Sequence, residues 1–139
     1  MSFRIKNLVL MTVALLTGLL LYVLFRPETY ITKFLAQFIY VKAIDYQADS
    51  VYGIVCGCYL PDFLWGFSLS CGLCVLFPPN RKNITLCCIV SFIYGLLWEL
   101  TQLMSVTGGT ADYLDVLAYF LSACMCLIIN KKGIQYEED

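Results

Sequence analysis

The sequence predicts an all-α, polytopic membrane protein: four transmembrane helices, with an amphipathic helix lying in the membrane interface between the first and the second. Three observations lead there. Of 139 residues, 60% are hydrophobic and 14% charged, with a mean hydropathy of +0.78; soluble domains average about 45–50% and about 25%. Four apolar stretches reach or approach the roughly 20 residues that a helix rising 1.5 Å per residue needs to cross a hydrocarbon core about 30 Å thick. Lys and Arg gather beside the ends of those stretches. The length suits one domain, residues 1–139.

The first span is read as 7–25, without a charge and preceded by Arg4 and Lys6. It is longer than a signal-peptide core and has no small-residue cleavage pattern before Arg26, so it reads as an uncleaved anchor. In 29–44, Ile31, Phe34, Leu35, Phe38, Ile39, Val41 and Ala43 fall near helical spacing, with Thr32, Lys33 and Gln37 elsewhere, as in a helix lying in the interface. Asp45–Ser50 is a polar break. Val51–Leu60 is apolar but too short to span, either a re-entrant piece or the outer end of the next helix. The second span, 61–77, opens with Pro61 at the favoured first helical position and closes at Pro78-Pro79-Asn80. The third, 84–107, ends at Gly108-Gly109. The fourth, 112–129, can be capped by Thr110 or Asp112 and ends before Asn130-Lys131-Lys132-Gly133.

With the N-terminus inside, Arg4, Lys6, Arg81, Lys82, Lys131 and Lys132 fall on the inner side, against Arg26, Lys33 and Lys42 spread along one outer connection. This predicts that both termini lie on the cytoplasmic side of the membrane. The formal net charge is −1, without a run of one sign, which argues against nucleic acid as a partner. There is no histidine, which excludes a Ser-His-Asp triad, a Cys-His dyad, an HExxH zinc site and histidine-ligated haem.

Of eight cysteines, Cys71, Cys74, Cys87, Cys88, Cys124 and Cys126 lie inside predicted spans, where a thiol packs as a small apolar group. Cys71-Gly-Leu-Cys74 matches CxxC, but without a second such pair or a histidine it reads as packing, and no metal or cofactor is expected. Cys56 and Cys58 sit near the outer side, too close in sequence to bond well to each other.

The strongest functional signal is an acid in an apolar helix. A charge at the centre of a membrane helix costs about 2.5–3.5 kcal/mol on insertion scales, so Glu99 needs a reason to be there. Tyr94, Trp98, Gln102 and Ser105 follow one another along the same span as a polar and aromatic stripe. Counted back from Thr107, Glu99 lies about 12 Å below the outer boundary. Asp112 and Asp115 open the fourth span and Asp62 opens the second, so all four acids in or at these spans converge on the outer leaflet. Each also has a structural reading. Asp62, Asp112 and Asp115 suit helix N-termini, and Glu99 with Gln102 could clamp neighbouring helices.

At these residues the chain resembles the VanZ-like family of small bacterial membrane proteins. Glu99-x-x-Gln102 in the third span is followed by Asp112-x-x-Asp115 at the head of the fourth, and Leu60-Pro61-Asp62-Phe63-Leu64-Trp65 is similar to what precedes the second helix in many members. The resemblance covers roughly Leu60 to Ile129. Where the family commonly has an Arg before the first Asp, this chain has Gly109 and Thr110, and where it has Asn and then Gly after the second Asp, this chain has Tyr119 and Ser122. The resemblance implies a place in the cell envelope and, from the founding member's association with teicoplanin resistance, an antibiotic-resistance role.

The leading functional expectation is an outer-leaflet pocket floored by Glu99 and Gln102, rimmed by Asp62, Asp112 and Asp115, and walled by Trp65, Trp98, Tyr94 and Tyr113. It would bind the head group of a membrane lipid, a lipid-linked envelope precursor or a glycopeptide. The second expectation is an intramembrane hydrolase or transferase with Glu99 and Asp115 as acid and base, lacking a cation inside any span. The third is an accessory subunit packing against a larger membrane protein through Gly18, Gly66, Gly72, Ser91, Gly95, Ser122 and Ala123, with the interfacial helix; a homo-oligomer, the other partner reading, would count against it.

Overall fold

A computed structural model describes residues 2–26, 33–34, 37–38, 51–104, 106 and 111–134, and no strand occurs among them. Four helices are long and apolar enough to cross a membrane, which makes this a multi-pass membrane protein. Of the expected interfacial segment, only a fragment is described: Lys33 and Phe34 are helical, the Gln37 N–H donates to Phe34 O at 3.2 Å, and the Phe34 and Phe38 rings meet edge-on at 5.3 Å. The rest of 29–44 and the Asp45–Ser50 break lie outside the described residues.

Helix α1, Phe3–Phe25, begins four residues before the expected span and ends where the Arg26 N–H bonds Tyr22 O at 2.9 Å. Val51–Leu60 continues directly into the next helix as its N-terminal extension, not as a separate re-entrant piece. An α-helical turn, Val51–Ile54, passes into a π-helical segment, Val55–Tyr59, and then without a break into α2, Leu60–Leu76. Phe77 is extended, as the residue before a proline prefers to be, and Pro78-Pro79 makes the turn. Helix α3, Arg81–Leu103, is capped by Asn80, whose side chain accepts the Asn83 N–H at 2.8 Å. It starts three residues earlier than expected and stops four short of Thr107. Glu99 is therefore four residues from the helix end, about 6 Å by helical rise. Helix α4, Tyr113–Ile134, runs five residues past its expected end, straight through Asn130.

Cross-contacts set the topology. Arg26 meets Gly57, Trp65 packs over Gly18 and Met11 over Gly72, so α1 and α2 run antiparallel. Ser91 Oγ donates to Gly66 O at 3.0 Å, placing α3 antiparallel to α2. Asp62 meets Tyr119 and Cys71 meets Cys126, so α4 runs parallel to α2. Helix α2 is the hub: α1 lies along one side, α3 and α4 along the other, with α4 also packed on α3. A Cβ on Gly95 would lie 2.5 Å from Tyr119 Cγ, so only glycine lets α3 and α4 approach this closely.

Midway along the bundle the core is built of small side chains. Cys71, Cys74, Cys87, Cys88 and Cys126 are sealed inside it with Ala14, Phe67, Ile84 and Ala123. All eight cysteines are free thiols. Cys71 and Cys126 have their sulfurs 4.0 Å apart, and CxxC serves as helix packing. Below this layer, at the end carrying the chain termini, Asn7 and Asn130 are both fully buried. Each amide donates to the other's carbonyl at 3.0 Å, and the second hydrogens go to Phe3 O and Cys126 O at 3.0 Å. The pair explains why α4 continues through Asn130, a residue that reads in the sequence as a terminator.

Replacing Asn7 by Leu strands the Asn130 amide in an apolar site. It should lower unfolding free energy in mild detergent by about 1–2 kcal/mol, and the Asn7→Leu/Asn130→Leu double variant should recover most of the loss. Thermal unfolding of the three proteins measures it; equal stability of the single variant and the parent would contradict the interaction.

Candidate functional site

At the far end of the bundle, opposite the termini, the site begins with a missing hydrogen. Pro61 has no N–H, so the α-helical bond back to the carbonyl of Gly57 cannot form. The π-helical segment Val55–Tyr59 lies immediately before it. Arg26, the first residue beyond α1, fills the gap: its Nε donates to Gly57 O at 2.9 Å. The same guanidinium lies 5.3 Å from the centre of the Tyr22 ring, a cation–π contact. Burial alone would lower the Arg26 pKa, but the carboxylate of Asp62, with smaller help from Cys58 and Tyr22, outweighs it and leaves the pKa above its ordinary value. A cation therefore stands beside the acids, whereas the basic residues within the spanning helices, Arg4, Lys6, Arg81, Lys82 and Lys131, lie at the other end of the bundle.

The carboxyls are drawn together by four hydrogen bonds. Tyr119 Oη donates to Asp62 Oδ1 at 3.2 Å, tying α4 to α2. Tyr59 Oη donates to Asp112 Oδ2 at 3.0 Å, tying the head of α2 to the head of α4. Asp112 caps α4 through Oδ1, which accepts the Leu114 N–H at 3.0 Å. Its own N–H donates to Glu99 Oε2 at 3.3 Å, joining the end of α3 to the start of α4. Glu99 is 7% exposed and shares one face of α3 with Ile84, Cys87, Cys88, Ser91 and Gly95. Asp115 faces like charges on Asp62, Glu99 and Asp112, with Arg26 as the opposing one. Its Oδ1 is buried and has no hydrogen-bond donor among the described residues.

Each sequence-predicted residue has a definite place. Asp62, Glu99, Asp112 and Asp115 do come together, and Gln102 is half-buried one turn beyond Glu99. The aromatic walls do not form. Tyr94, Trp98 and Tyr113 are 59%, 43% and 80% exposed, pointing away from the face of α3 that holds Glu99 or standing free at the head of α4. A step of one residue turns a helix by about 100°, so the Tyr94–Trp98 stripe and the Gly95–Glu99 stripe look in different directions. Trp65 lies at the seam of α1 and α2, over Gly18 and 6.4 Å from the Tyr22 ring. Ser105, at the end of the expected stripe, and Thr110, a candidate cap, lie outside the described residues. Among the described residues no group of three or more Cys, Asp and Glu side chains is arranged to hold a metal ion.

Three partners escape the sequence reading: Arg26, Tyr59 and Tyr119. Tyr119 carried a signal, since it lies four residues after Asp115 on one helix face, at the position where the resembled family has Asn. Arg26 carried none, because the chain that separates it from Gly57 is long and its partner is a backbone atom.

Arg26→Gln removes the donor to Gly57 O and the cation beside Asp62, and should cost about 1–3 kcal/mol in detergent unfolding. Arg81→Gln, at an exposed position, should leave stability within about 0.5 kcal/mol of the parent. Equal effects would show that the Arg26 contacts contribute nothing. No protein-family profile matches the chain, and no curated protein and no solved structure matches it either.

Proposed function

We propose that the chain is a VanZ-like protein of the bacterial inner membrane, with both termini cytoplasmic, whose outer-leaflet carboxylate pocket binds the head group of a lipid, a lipid-linked precursor or a glycopeptide. The observation that carries this reading is the buried Asp115 Oδ1, without a donor among the described residues and set among three other carboxyls and one guanidinium. A buried acceptor left unsatisfied costs about 1–3 kcal/mol, and an incoming N–H or O–H would recover it. Four carboxyls against Arg26 favour a ligand that brings positive charge and hydrogen-bond donors. An amine-bearing head group fits, its ammonium toward Asp115, Asp62 and Glu99, and any phosphate toward Arg26.

Phosphatidylethanolamine and phosphatidylcholine with the same chains differ in whether the amine has N–H donors, and they make the direct probe. Native mass spectrometry of the purified protein should find the ethanolamine lipid retained, and Asp115→Asn or Glu99→Gln should cut that retention about tenfold. Equal retention of both lipids by the parent, or undiminished retention by both variants, would overturn the reading. In cells, the same variants at normal abundance should lose any envelope or drug phenotype of the parent.

Arg26 also favours a second reading, an intramembrane transferase or hydrolase acting on a lipid-linked phosphate, with Glu99 and Asp115 as acid and base. The guanidinium supplies a cation beside the acids, where none of the spans' own basic residues lies. Turnover of such a lipid by the purified protein, lost in Glu99→Gln, is the result that would separate it from simple binding.

A further inference from the structure

The opposite end of the bundle carries a different feature. Helices α1 and α4 are clamped there by the Asn7–Asn130 pair and by Lys6, whose Nζ donates to Ile129 O at 3.3 Å. Beyond the clamp they diverge, and an open groove of about 260 Å³ runs between them with α2 as its floor. Leu10, Val13 and Ala14 form one wall, Phe63 and Phe67 the floor, and Met125 the other wall; among the described residues Thr17 is the one polar residue lining it. In a bilayer such a groove is filled by hydrocarbon, because nothing else apolar and elongated surrounds the protein.

We propose that this groove is a retention site for an anionic phospholipid of the leaflet on the side of the chain termini, with an acyl chain in the groove and the phosphate at Lys6. Lys6, Leu10, Ala14 and Thr17 follow one another at steps of four, four and three, so Lys6 stands on the groove's own line, about 6 Å below Leu10 by helical rise. Its ammonium is held in place by Ile129 O and by the Phe3 ring, 5.5 Å from the ring centre. An ammonium has three hydrogens, and Ile129 O is the one acceptor it meets among the described residues. Arg4 and Lys131 lie exposed at the same end. A fixed cation at the mouth of an apolar channel between membrane helices is the arrangement that selects an anionic head group with its chain attached. The site shares no residue with the carboxylate pocket and does not rest on the function proposed for it.

The test uses the full chain in mild detergent, with phosphatidylglycerol and phosphatidylcholine of identical chains as probes, read by native mass spectrometry. The parent should retain phosphatidylglycerol about fivefold better, the effect of roughly one Lys at an anionic lipid. Lys6→Gln should erase that preference while leaving phosphatidylcholine retention as it was, and Lys6→Arg should keep it. Val13→Trp, which fills the groove, should reduce retention of both lipids. Leu16→Trp, on the exposed face that does not line the groove, should change neither. Equal retention of the two lipids by the parent would overturn the proposal. So would a preference that survives Lys6→Gln. Retention unchanged by Val13→Trp would remove the groove from the site.

Discussion

A proline in a membrane-embedded helix withholds one N–H, and in hydrocarbon the carbonyl left over must find another donor. Here that carbonyl is Gly57 O and the donor is Arg26, so a defect in α2 anchors the end of α1. The same guanidinium then becomes the counter-charge that lets Asp62 sit beside it. With Asp62 in place, Tyr119 has an acceptor; with Tyr119 in place, α4 is fixed against α2, and Gly95 gives its ring room against α3. Tyr59 and Glu99 attach the head of α4 through Asp112. The polar site is thus assembled outward from one unsatisfied backbone group, and all four helices reach it through hydrogen bonds.

The two ends of the bundle handle polarity differently. Asn7 and Asn130 are neutral, reciprocal and fully satisfied, and such a pair fixes register without asking for anything from outside. The far end is charged and short of donors: four carboxyls share one guanidinium, and Asp115 Oδ1 remains without a partner among the described residues. Between them lies a layer of thiols and small residues, sealed and apolar, through which the spans pack closely. Buried thiols shielded in this way are inert, which suits the five cysteines of the layer, Cys71, Cys74, Cys87, Cys88 and Cys126, to a packing role. The asparagine pair is closed and the carboxyl cluster is incomplete among the described residues, which is the chemical difference between the two polar layers.

Much was legible in advance because the bilayer acts on the chain through length and hydropathy alone. Four spans, their order and the gathering of Asp62, Glu99, Asp112 and Asp115 at one end all follow from where apolar runs start and stop. The boundaries moved by three to five residues at several ends for local reasons: Asn80 caps α3 before its apolar run begins, and Asn130 continues α4 after its run has ended. The direction of side chains was less legible. Tyr94 and Trp98 share a stripe in sequence, but the stripe beside it, Ser91, Gly95 and Glu99, is the one that carries small residues, and small residues mark the face that meets another helix.

The sequence by itself determined that this is a membrane protein of four helices, that it has no histidine, and that the acids in or at its last three spans collect at one end of the bundle. Each of these depends on composition and spacing along the chain, which no packing can change. Only the tertiary structure decided that Arg26 stands among those acids, that Tyr59 and Tyr119 hold two of them, that the aromatic walls turn away, and that Asn7 meets Asn130. Those outcomes depend on which helix faces which. In a bundle that is apolar nearly all round, the choice of neighbour is made by a few glycines and buried polar atoms, whose partners lie far along the chain.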